Sequence, residues 1–161
     1  GSVPRRILNL NRVDAAKSDF MMEVFDALSE ASVHIDLHSY PDISGETEFG
    51  YDLDAWREST VVLFNIPEVT DETLLSAVVQ AFEEGGVAST IQEAGFENFL
   101  TNAASVLFDV PSVLIEVNDA AGRDYPVVAD VLVEALARFL AGPETPDTAQ
   151  TPDEEAQSPA Q

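Results

Sequence analysis

Val33-His34-Ile35-Asp36-Leu37-His38-Ser39-Tyr40 is the stretch whose reading decides the fold. Apolar and polar residues alternate along it, the period of a strand with one face on a core. Val33, Ile35 and Leu37 point one way, and His34, Asp36 and His38 point the other. The only two histidines of the chain therefore flank one aspartate on one strand face. A metal or proton-transfer site belongs there if the chain has either.

Outward from this strand, elements of two periods alternate. Ile7 to Asn11 reads as a strand end or loop, and Asp14 caps a helix to about Ala31 with Phe20, Val24, Ala27, Leu28 and Ala31 on one stripe. Beyond His38, the acidic stretch Ser39 to Glu58, with Pro41, Gly45 and Gly50, reads as a site-lining loop. Thr60 to Ile66 is apolar and β-branched, a buried strand. A helix from Asp71 turns Leu74, Leu75, Val78, Val79 and Phe82 inward and closes at Gly85-Gly86. Val87 to Ile91 is a strand candidate, and Glu97 to Phe108 reads as a helix with Phe99, Leu100, Ala103, Ala104 and Leu107 apolar. Ser112 to Val117 is a second buried strand after Pro111. A last helix, about Tyr125 to Leu140, carries Val128, Val131, Leu132, Ala135, Leu136 and Phe139 inward. Strands alternating with helices predict an α/β domain over residues 1–141, its sheet covered on both faces. Residues 142–161, rich in Pro, Thr, Glu, Gln and Ala without periodicity, are expected to be a disordered acidic tail.

Charge sets the class of partner. The chain has 161 residues, with 30 acids against 7 bases, and Lys17 is its one lysine. Five of the acids lie in the tail, so the body keeps 25 against 7, a balance of −18. Such self-repulsion opposes compaction in dilute salt and is screened in concentrated salt, which is the expectation for a protein of a salt-adapted organism. An acidic partner-binding domain is the alternative. Nucleic acid is excluded as a partner for want of a basic footprint. No run of about 18 apolar residues supports a membrane span. Gly1 to Lys17 has no apolar signal core, so a cytoplasmic location is the expectation. Without cysteine, disulfides and thiolate metal sites are excluded.

Three positions carry candidate chemistry. Asn11-Arg12 ends the first segment, His38 ends a strand, and Glu116 is the only charged residue in the apolar run Val113 to Val117. Open α/β sheets gather ligands at the carboxyl ends of their strands. Arginine offers a fork for a carboxylate, histidine serves as metal ligand or proton carrier, and a desolvated glutamate suits a general base. Structural roles compete at each. His38 also reads as a hydrogen-bonded histidine, Glu116 as an edge residue or the partner of an arginine, and Arg12 as a helix cap or the partner of Asp14 or Asp36. Glu46, Glu48, Asp52 and Asp54 read as a solvated loop. No Gly-x-Ser-x-Gly elbow supports serine catalysis.

Together these segments resemble the succinylglutamate desuccinylase/aspartoacylase family of the zinc carboxypeptidase-like superfamily. Leu8-Asn9-Leu10-Asn11-Arg12 resembles its Asp-Leu-Asn-Arg element, and Ile35-Asp36-Leu37-His38-Ser39 is similar to its Asp-Leu-His segment. Leu100 to Ala104 followed by Val110 to Val117 resembles the run that ends in the catalytic glutamate. The resemblance implies a mixed, mostly parallel sheet between helices and hydrolysis of an amide on a carboxylate-bearing acyl-amino acid or peptide C-terminus. It implies zinc held in part by His38, proton transfer by Glu116, and a substrate carboxylate held by Asn11 and Arg12. The family's upstream His-x-x-Glu zinc motif does not occur in this sequence. The expectation is therefore a hydrolase-like domain that is catalytically incomplete as this chain. The alternative is a non-catalytic binding or assembly module with a protein partner, in a salt-adapted organism or its virus.

Overall fold

The computed structural model describes residues 19–40, 51, 53–93, 99–119 and 125–142. In chain order the elements are α1 (Asp19–Ser29), β1 (His34–Tyr40), α2 (Leu53–Glu58), β2 (Val61–Asn65), α3 (Glu72–Glu84), β3 (Ser89–Glu93), α4 (Phe99–Asn102), β4 (Ser112–Asn118) and α5 (Tyr125–Ala141). The four strands form one mixed sheet in the order β1-β4-β2-β3. β1 runs parallel to β4 and β2 parallel to β3, while the central pair β2 and β4 is antiparallel. The chain has the expected α/β fold. Among the described residues, no helix is long and apolar enough to cross a membrane.

Alternation along the strands sorts side chains into two unlike layers. Val61 and Leu63 of β2 and Val113, Ile115 and Val117 of β4 face α3 and α5, joining Leu74, Val78, Phe82, Val128 and Leu132 in the main core. The intervening residues Val62, Phe64 and Leu114 face the other way, against Tyr40 and the α2 residue Trp56. Tyr40 donates its hydroxyl to the Trp56 carbonyl at 2.8 Å, which lets a phenol end inside an apolar cluster without an orphaned polar atom.

Local chemistry explains the ends of α3. The Asp71 carboxylate accepts from the Leu74 amide at 2.7 Å, an N-cap. At the other end Gly86 takes φ +68°, Val87 donates its amide to Phe82 O at 2.9 Å, and Gly86 donates to Glu83 O at 3.2 Å. This is a Schellman closure, and it requires a residue tolerant of the left-handed region at Gly86. It also engages Val87, so β3 starts at Ser89 and ends at Glu93, later than the expected Val87 to Ile91.

Two further expectations are refined. The stretch Ser39 to Glu58 is not all loop: Ser39 and Tyr40 finish β1, and Leu53 to Glu58 form α2, where Arg57 pairs with Asp54 at 2.8 Å. The expected helix to Phe108 holds only one regular turn, α4, before Ala103–Leu107 widen into a π turn. Asp109 then takes φ +55°, and Val110 donates back to Ala104 O at 2.9 Å. The segments 1–18, 41–50 and 143–161 lie outside the described residues, and with them Asn11, Arg12, Glu46, Glu48, the first turn proposed from Asp14 and the acidic tail.

Candidate functional site

The parallel register of β1 and β4 sets His38 beside Glu116, two residues far apart in sequence and adjacent in the sheet. Both lie on the layer that carries Tyr40 and Leu114, because 36, 38 and 40 share one parity along β1, as 114 and 116 do along β4. Asp36, one step back on the same face, completes a row of three ionisable groups.

His38 is the hinge of that row. Its Nε2 lies 2.9 Å from Asp36 Oδ1, and its Nδ1 lies 3.5 Å from Glu116 Oε1. The bond with Asp36, then the approach of Glu116, outweigh partial burial and raise the imidazole pKa from 6.5 to about 10. His38 is thus a protonated cation at neutral pH, held between two carboxylates. Burial by itself would raise the Asp36 carboxyl, but the bonds from His38 and Thr101 and the nearby histidine charges bring it below its ordinary value. Thr101 comes from α4, is wholly buried, and donates its hydroxyl to Asp36 Oδ2 at 3.1 Å. The two carboxylate oxygens of Asp36 therefore have separate partners, one on the strand and one on the helix above it.

Glu116 differs. The edge reading does not hold for it, since β4 is a central strand, and among the described residues its ionic neighbour is a histidine. Its Oε2 is buried and has no hydrogen-bond partner among the described residues. An unsatisfied buried acceptor of this kind costs about 1–3 kcal/mol, more for a charged group, unless a ligand or water donates to it.

His34, on the same face, does not join the row. Its Nδ1 lies 3.1 Å from the Ser112 hydroxyl, and burial lowers its pKa against the opposing pull of Asp36. Two histidines of one strand thus carry opposite shifts. Thr101 is the functional side chain that the pattern of residues left unmarked. Nothing in the sequence singles it out from its polar neighbours Asn102 and Ser105; only its complete burial in the structure does.

Catalytic zinc requires about three protein ligands, each with a free lone pair. Among the described residues no group of three His, Cys, Asp or Glu side chains is disposed to hold a metal ion. Both ring nitrogens of His38 are directed at carboxylates. The described residues therefore do not by themselves fit a zinc centre.

Neither a protein-family model nor a curated protein matches the sequence. Among solved structures, the gene product Atu2144 from Agrobacterium tumefaciens is similar in fold, with a TM-score of 0.51 at 13% identity. The match covers 84% of this chain and 53% of that one, so the chain spans about half the length of its structural neighbour.

Proposed function

We propose that this chain is an amide-hydrolase-like α/β domain of the zinc carboxypeptidase-like kind, directed at a carboxylate-bearing acyl-amino acid or peptide C-terminus, whose described residues supply the proton-handling part of the site. One observation carries the reading. His38 and Glu116, the residues that the resemblance assigns to metal and to proton transfer, are register partners on adjacent strands. Glu116 Oε2, buried and without a donor among the described residues, is the acceptor to take a hydrogen bond or proton from an attacking water or a substrate amide. His38 fixes the other oxygen, and Asp36 with Thr101 fixes His38. Asn11 and Arg12 are proposed to hold the substrate carboxylate. Lewis-acid chemistry would need ligands beyond those described, and no step is assigned to it.

The second reading, a binding or assembly module that retains the fold, is favoured by His38 itself, since an imidazolium held by two carboxylates presents no lone pair to a metal. Zinc stoichiometry of the purified protein in molar salt, together with hydrolysis of a panel of N-acyl amino acids, separates the two. Turnover that is lost in Glu116→Gln supports the hydrolase. Binding of an N-acyl amino acid without turnover or zinc supports the module. Neither binding nor turnover overturns both.

A further inference from the structure

Among the described residues β1 is an edge strand of the sheet. The His34 amide donates to Pro111 O and the Tyr40 carbonyl accepts from the Asp119 amide, both at 2.9 Å, so the even-numbered residues direct their backbone groups at β4. In a parallel ladder the N–H and C=O of one residue face the same neighbour. Ile35, Leu37 and Ser39 therefore present theirs outward, and among the described residues no strand pairs with them. Leu37, at the centre of this seven-residue strand, is 56% exposed.

We propose that β1 pairs antiparallel with β1 of a second copy about a two-fold axis through Leu37, joining the two four-stranded sheets into one. This axis sets Leu37 opposite the partner's Leu37 and Ile35 opposite the partner's Ser39 as hydrogen-bonded pairs, using the residues whose backbone groups are outward. The even residues then fall at the non-hydrogen-bonded positions, where side chains approach most closely. There His38 faces the partner's Asp36, and Asp36 faces the partner's His38, an imidazole beside a carboxylate at each position. A slip of two residues in either direction would set carboxylate against carboxylate at Asp36 or ring against ring at His38, so this pairing selects the register. An isologous pairing of this type closes as a dimer and leaves both edges satisfied. It also keeps the α3 and α5 layers of both copies on one side of the joined sheet.

Each copy carries a formal charge of −23, so association has to strengthen as salt screens the repulsion. Sedimentation equilibrium at low and molar salt, with amide hydrogen exchange at Ile35, Leu37 and Ser39, tests the proposal. The expected result is a dimer at least about tenfold tighter in molar salt, with these three amides protected in a concentration-dependent way. Leu37→Asp, at an exposed position, is expected to keep the circular dichroism of the fold and to sediment as a monomer. A monomer at every salt concentration overturns the proposal. So does a dimer that survives Leu37→Asp, which would place the interface elsewhere. Protection of the three amides independent of concentration overturns it too, because the edge would then be covered within one chain.

Discussion

The two faces of β4 were given the same backbone and opposite tasks. On one face Val113, Ile115 and Val117 lie almost wholly buried against α3 and α5, in a layer of aliphatic and aromatic side chains that satisfies itself by packing. On the other, Leu114 sits in the Tyr40–Trp56 cluster, and two residues on Glu116 faces a histidine with one oxygen and, among the described residues, no hydrogen-bond donor with the other. The first face tolerates no lost volume. The second is held by a few directional bonds, and a group left unsatisfied there is where a ligand is expected. Stability and chemistry are separated by a single residue step.

The largest effect expected comes from breaking the packed face. Phe82 is wholly buried, and Phe82→Ala should lower unfolding free energy by about 3–5 kcal/mol in chemical denaturation. On the polar face His38→Ala leaves Asp36 and Glu116 without the cation between them. A loss of about 1–3 kcal/mol is expected at neutral pH, smaller than for a fully buried pair because the ring is 25% exposed. The same variant removes a pH dependence whose sign is fixed. The folded pKa of about 10 lies above the ordinary 6.5, so the contribution of His38 is complete below about pH 6.5 and is lost as pH rises through 10. Asp36, depressed from 3.8, works in reverse, its contribution being lost as pH falls below that value. Wild-type stability should therefore fall above neutrality by at most about 1.4 kcal/mol per pH unit, and this slope should be shallower in His38→Ala.

Smaller effects sharpen the contrast. A Cβ at Gly85 would lie 2.5 Å from Val131 Cγ2, at the close approach of α3 to α5. Gly85→Ala should cost about 1–3 kcal/mol, and part of this should be recovered in the double variant with Val131→Ala, since the Val131 methyls are the closest obstruction while the Ala81 carbonyl at 3.2 Å remains. Thr101→Val keeps the shape beneath Asp36 but removes its donor, for about 1 kcal/mol. Thr101→Ser should restore it, and the measured quantity is again the denaturation midpoint.

How much of this was legible in the residues follows from what sequence patterns encode. Alternation in Val33 to Tyr40 placed Asp36 and His38 on one face, and the isolated charge of Glu116 marked it within an apolar run. Asp71 and Gly85-Gly86 marked both ends of α3, because caps are local chemistry. The insertion of β4 between β1 and β2 was not legible, since a period of two names a face but no neighbour. For the same reason His34 could be counted with His38, although one turns to Ser112 and the other to Asp36 and Glu116. The π turn after Asn102 breaks a helical stripe by backbone geometry alone, and Thr101 reaches Asp36 only because that helix crosses β1.

A cationic His38 bridges Asp36 and Glu116 while His34 on the same strand turns to Ser112. Titration of both imidazole rings by long-range proton–nitrogen correlation in wild-type protein tests this most directly. His38 is expected to keep both ring nitrogens protonated to about pH 10, while His34 loses its proton below its ordinary 6.5. Two rings titrating together near 6.5 would contradict it, and the β1–β4 row would then be three neighbouring side chains without a shared proton.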